Sequence, residues 1–134
     1  MSAEWDLNSL RENLGEILGC VFTPMPRKKV LFSGKKQDGS TMVLYSPRAT
    51  LQPGGFWWVD LSTRQYEALD QGDEGLLVFR PDGGELKLMK WDRLRRELLP
   101  EQLKHPVCGE EHWSLYLYPD CIRINGGPKK IFWE

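Results

Sequence analysis

Apolar residues recur at Leu10, Leu14, Ile17 and Leu18, the i, i+4, i+7, i+8 spacing of one helix face, with Gly19 placed to end the helix. The spacing also predicts Asp6 as its cap, with Trp5 and Leu10 stapling across the cap. After a break at Pro24 and Pro26 the pattern turns to strands. Lys29 to Ser33 and Thr41 to Ser46 read as a hairpin joined through Lys35-Lys36-Gln37-Asp38-Gly39, where Asp-Gly supplies the turn. The stretch from Ser46-Pro47 to Pro53-Gly54-Gly55 is rich in turn formers and reads as a loop.

A third strand, Phe56 to Asp60, leads into Ser62-Thr63-Arg64-Gln65. This is a capping box in which Ser62 accepts from the Gln65 backbone while the Gln65 side chain reaches back, so a short helix is expected to about Gly72. Leu76 to Phe79 is continuously apolar, as a central strand covered on both faces must be, and Asp82-Gly83-Gly84 turns it into a partner at Glu85 to Trp91. Asp92 is placed to cap a third helix carrying Leu94 and Leu98, with Arg93, Arg95 and Arg96 outward and Pro100 ending it. Strands at Trp113 to Tyr118, Cys121 to Asn125 and Lys130 to Trp133 complete the chain.

Hairpins dominate this order, and only the stretch through the second helix leaves room for a parallel crossover. The predicted fold is α+β: a mixed, mainly antiparallel sheet of about six to eight strands built from hairpins, with three helices packed on it. With no repeat or long linker, residues 1–134 read as a single globular domain.

Composition adds limits on function. The formal net charge of −1 excludes binding to nucleic acid by bulk charge and moves attention to local patches. No apolar run reaches the roughly 18 residues of a membrane span, and the first residues lack a secretory pattern. Three cysteines, an odd and scattered set, suit a reducing compartment, so a cytoplasmic location is the expectation. Six tryptophans are many for 134 residues and point first to a core of large rings, then to an interaction surface.

Four patterns bear on chemistry. His105, Cys108, His112 and Cys121 are the ligand types of a structural zinc site, although only His105 and Cys108 have the tight spacing of a ligand pair; the competing reading is exposed loop histidines and a small buried cysteine. Cys108 with His112, near Glu110 and Glu111, is the only local thiol and base pairing, and no flanking nucleophile motif supports it. Pro81-Asp82-Gly83-Gly84-Glu85-Leu86-Lys87 spells the Pro-Asp … Glu-x-Lys string of restriction-type nucleases, and Asp60 is a further acid. Asp82 nevertheless falls in the turn, Glu85 and Lys87 fall on a polar strand face, and Thr41 to Tyr45 carries no acid.

Basic residues cluster at Arg27-Lys28-Lys29, Lys35-Lys36, Arg93-Arg95-Arg96 and Lys129-Lys130, and beside Trp57 or Trp58 two such clusters would suit a nucleic-acid strand. The expected function is therefore a non-enzymatic binding or adaptor module, needing no cofactor. It would act on a protein or a nucleic acid through an aromatic and basic surface of Arg27, Lys28, Lys29, Lys35, Lys36, Trp57 and Trp58. A metal-dependent nuclease-like hydrolase, or a degenerate relative of one, is the alternative.

Overall fold

In a computed structural model that describes residues 7–26 and 30–133, the elements run α1 (Leu7–Leu18), β1 (Thr23–Pro24), β2 (Leu31–Lys35), β3 (Thr41–Tyr45), β4 (Arg48–Gln52), β5 (Phe56–Ser62), α2 (Thr63–Asp70), β6 (Glu74–Pro81), β7 (Lys87–Lys90), α3 (Trp91–Arg95), a 3-10 turn (Pro100–Gln102), β8 (His112–Leu117), β9 (Cys121–Ile124) and β10 (Ile131–Phe132). The predicted cap Asp6, its staple partner Trp5 and the basic run Arg27-Lys28-Lys29 lie outside the described residues.

The strands form one mixed sheet of ten, in the order β1-β2-β3-β6-β4-β5-β8-β9-β10, with β7 also paired to β6. The expected count of six to eight was therefore too low, and the antiparallel character holds only in part, since β3 and β4 both pair parallel to β6. Met42 faces Glu74 and Arg48 faces Arg80, the same offset of 32 residues, so β3 and β4 follow one register along β6 on either side of Ser46-Pro47. The chain returns to β6 through β5 and α2, which is the crossover that sequence spacing allowed.

The segment expected as a loop, Arg48 to Gln52, is thus strand β4. Pro47 has no N–H, yet its carbonyl still accepts from Arg80 N at 2.9 Å, and the Ala49 carbonyl accepts from Asp82 N at 3.0 Å. The interruption itself is held by polar contacts: the buried Ser46 Oγ donates to the Val78 carbonyl at 2.8 Å, and the Arg80 guanidinium donates twice to the Ser46 carbonyl, at 3.1 and 2.9 Å. At this point the sheet divides, because the other partner of β3 is β2 and the other partner of β4 is β5.

Two cores result. One face of both halves, including Tyr45, Phe79, Leu61, Trp113, Leu115 and Ile122, closes around a main core with α2 and α3. On the opposite face of β2, β3 and β6, a second core of Phe32, Met42, Leu44, Leu76 and Val78 is covered by Leu10 and Leu14 of α1. Leu76 to Phe79 is buried on both faces, as its unbroken hydrophobicity requires. Gly19 ends α1 at φ 71°, a conformation that favours glycine. Ile17, however, is 77% exposed, so the predicted apolar stripe narrows at its last turn.

At α2 the capping box forms as read: Ser62 Oγ accepts from Gln65 N at 3.2 Å and Gln65 Oε1 accepts from Ser62 N at 2.9 Å. The third helix differs from expectation. It begins two residues earlier, at Trp91, with Lys90 as an N-cap that has no side-chain bond, so Asp92 sits in the first turn and does not cap. Trp91 packs where Gly75 leaves room; a Cβ on Gly75 would stand 2.6 Å from Trp91 Cβ. The carboxylate of Asp70 ties the two helices, accepting from Trp91 Nε1 at 2.8 Å and from Arg95 at 2.8 and 3.1 Å.

Candidate binding face

Strands β5 and β8 pair from Trp57 opposite Leu117 to Ser62 opposite His112. Successive side chains alternate, so Val59 and Leu61 enter the main core while Phe56, Trp58 and Asp60 leave it. The register then aligns Thr50, Trp58, Tyr116 and Arg123 across four strands on the face opposite the main core. In the adjacent row Phe56 lies edge-on to Tyr116, with centroids 5.5 Å apart, and stacks on Tyr118 at 5.7 Å. Phe132 of β10 pairs with Cys121 of β9 and extends the apolar surface to the sheet edge. Trp58 and Phe132 remain 41% and 55% exposed, although rings of this size are usually covered. Helix α1 covers the same face only over β2, β3 and β6.

Asp60 positions the exposed indole. Its Oδ1 accepts from Trp58 Nε1 and from Ser114 Oγ, both at 3.0 Å, while His112 Nε2 stands 3.7 Å from Oδ2. These residue types would suit nucleophilic catalysis, but the geometry does not assemble it. Ser114 donates to the carboxylate and not to the imidazole, and it is only 1% exposed, so its oxygen has no access to a substrate.

A recess of about 230 Å³ adjoins Phe132, lined by Arg93, Arg96, Lys129 and Lys130 with Glu97 among them. Lys129 pairs with Glu97 at 2.8 Å, and Arg93 Nη2 donates to the Phe132 carbonyl at 2.8 Å. Two basic clusters separated by more than thirty residues in sequence thus meet at one edge of the aromatic face. Arg95 points elsewhere, onto Asp70. Burial pushes the Cys121 thiol above its ordinary range and the hydrogen bond to Asp120 adds to this, with Lys130 and Arg123 pulling the other way.

The residues expected to act together are dispersed. Trp57 and Trp58 point to opposite faces, as neighbours in a strand must; Trp57 Nε1 donates to the Asp82 carbonyl at 2.9 Å and its ring packs beside Gly84. Lys35 and Lys36 line a separate recess of about 750 Å³ beside α1, and Lys36 is paired with Glu74 at 3.2 Å. Of the described members of the predicted binding set, Lys35, Lys36, Trp57 and Trp58, only Trp58 lies on the aromatic face. Phe56, Tyr116, Tyr118, Arg123 and Phe132 were missed, although period-two alternation along Phe56 to Ser62 and Trp113 to Tyr118 carries the signal for the first three.

The four candidate zinc ligands are not brought together either. His112 opens β8, whereas Cys121 lies beyond its far end, six residues along the hairpin or about 20 Å at the usual rise per residue. His105 pairs with Glu111, and Cys108 is exposed in the loop. His112 Nδ1 instead contacts the Glu110 carbonyl at 3.0 Å. Among the described residues no group of three or more His, Cys, Asp or Glu side chains is placed to hold a metal. The nuclease-type acids are also occupied separately: Asp60 by Trp58 and Ser114, Asp82 by Arg48 at 2.7 Å, while Glu85 sits in the turn between β6 and β7. No helix among the described residues is long and apolar enough to cross a membrane. No protein-family model, curated protein or solved structure matches this chain.

Proposed function

We propose that this chain is a non-enzymatic binding module whose macromolecular partner lies on the outer face of β5, β8, β9 and β10. The observation that carries this reading is the row of rings on a sheet face that no helix covers among the described residues. Trp58 and Phe132 keep large apolar areas in water at a cost of about 25 cal/mol per Å² relative to burial, a cost that a partner covering the rings would remove. The rings are also pre-set: Asp60 fixes the Trp58 indole and Phe56 packs against two tyrosines, so little side-chain entropy is lost when a ligand arrives. The basic recess beside Phe132 adds a charged region next to the rings, formed by residues other than the expected Arg27, Lys28, Lys29, Lys35 and Lys36. The metal-dependent hydrolase draws no support from the placement of Asp60, Asp82 and Glu85.

Backbone amide spectra of the labelled full chain, recorded with panels of oligonucleotides and of peptides, test the reading. Shifts contiguous over Phe56 to Asp60, Ser114 to Tyr118 and Ile131 to Trp133 are expected with a cognate ligand. Shifts confined to the recess beside α1 would refute it.

A further inference from the structure

Resting on that reading, we propose that the partner is a single-stranded nucleic acid, with bases stacked on Trp58 and Phe132 and successive backbone phosphates neutralised by Arg96, Lys129 and Lys130. The first support is the joining of the two surfaces. Phe132 belongs to both, since its ring is exposed beside Cys121 while its carbonyl accepts from Arg93. A ligand stacked on this ring is therefore within reach of the recess. The second is charge. Among the described residues, Arg96, Lys129 and Lys130 against the carboxylate of Glu97 leave the recess a formal excess of two positive charges in a chain whose total is −1, while Arg93 is engaged by the Phe132 carbonyl. Such local concentration in a near-neutral protein marks an anionic ligand more specifically than overall basicity would.

The third support is dimension. Strands lie about 4.8 Å apart and residues about 3.4 Å along each, so Phe132 on β10 and Trp58 on β5, three strands across and one row (two residues) along, are separated by about 16 Å, which accommodates two or three bases lying on a sheet. Every base offers a flat π-face, and stacking on aromatic rings tolerates sequence. Bases within a duplex are already stacked and cannot lie flat on a sheet, which is the reason for a single strand. An acidic peptide would satisfy the cations and leave the ring faces unused.

The test is fluorescence anisotropy of labelled homopolymers of about twelve nucleotides, DNA and RNA, with a duplex of the same length, titrated with the full chain at several salt concentrations. Single strands are expected to bind at least about tenfold more tightly than the duplex, with a log–log salt slope near −2 for about three neutralised phosphates. Phe132→Ala and Trp58→Ala should each weaken binding about five- to hundredfold with the slope unchanged. Lys129→Ala with Lys130→Ala should flatten the slope by about 1.4. Thermal unfolding of each variant separates lost binding from lost folding, and Lys129→Gln with Lys130→Gln repeats the charge test while keeping most of the side-chain length and a polar tip. Failure of every single strand to bind overturns the nucleic-acid assignment, and a peptide that shifts the Trp58 and Phe132 signals would then leave the binding face standing. Oligonucleotide affinity that survives both ring substitutions overturns the assignment and the face together.

Discussion

Replacing Asp70 should loosen the attachment of α3 to α2 by an amount that can be set out contact by contact. Its carboxylate accepts the indole N–H of Trp91, which is only 2% exposed as a residue, and two donors of Arg95. Removing an acceptor that carries charge costs about 1.5–3 kcal/mol for a partly buried donor left without a partner, whereas the exposed Arg95 pair, screened by solvent, adds little. Asp70→Ala is therefore expected to lose about 2–3 kcal/mol, or about 6–12 °C in Tm for a chain of this size. Asp70→Asn keeps a carbonyl for Trp91 and loses only the solvent-screened ionic share, so it should be clearly more stable than the Ala variant.

The pH dependence follows from the same contacts. Burial alone would raise the Asp70 carboxyl, but the hydrogen bonds from Arg95 and Trp91 outweigh it and hold the group below its ordinary value. A depressed carboxyl stabilises the fold above its unfolded value near ~3.9, and that contribution fades as pH falls through the lower folded value. Urea unfolding of wild type and Asp70→Asn across pH should show a constant gap near neutrality that closes in acid. An Asp70→Ala protein within about 0.5 kcal/mol of wild type, or an Asn variant as unstable as the Ala variant, would refute this account of the helix pair.

Other expected outcomes are more quickly stated. Gly75→Ala should destabilise by about 1–3 kcal/mol in the same urea assay, because its Cβ would meet the Trp91 side chain at 2.6 Å. Ser62→Ala should cost about 1 kcal/mol through loss of the cap on α2, and Ser62→Asp should recover most of it. In a native thiol titration Cys108, which is exposed, should react at once, while buried Cys20 and Cys121, whose thiols burial pushes above the ordinary range, should react only on unfolding.

The parts of the fold that were legible in the sequence are those where one local rule acted without competition. The Ser62 to Gln65 capping box needs only four residues, and the apolar run Leu76 to Phe79 states its own burial on both faces. Strand β4 was not legible, because Pro47, Pro53, Gly54 and Gly55 flank it with turn chemistry, and only its non-local register with β6 and β5 makes Arg48 to Gln52 extended. The two-residue strand β1 has the same origin, since Thr23 and Pro24 are held by Ser33 and Phe32 of β2 and not by propensity. Asp92 satisfied the cap pattern and lost to tertiary packing, because Trp91 had to enter the core opposite Gly75 and so drew the helix start back.

The candidate face was half legible. Adjacency in sequence suggested Trp57 with Trp58, whereas a strand pairs Trp58 with Tyr116 across the sheet. The recess required Arg93 and Lys129 to meet, which no local spacing encodes.

The most direct test of the binding face is the fluorine spectrum of the chain labelled with fluorotryptophan, its resonances assigned by single Trp→Phe replacements and followed while a single-stranded oligonucleotide is added. Movement or broadening of the Trp58 resonance is expected, with those of the core residues Trp91 and Trp113 unchanged. A ligand that binds while Trp58 stays still would contradict the assignment of this face.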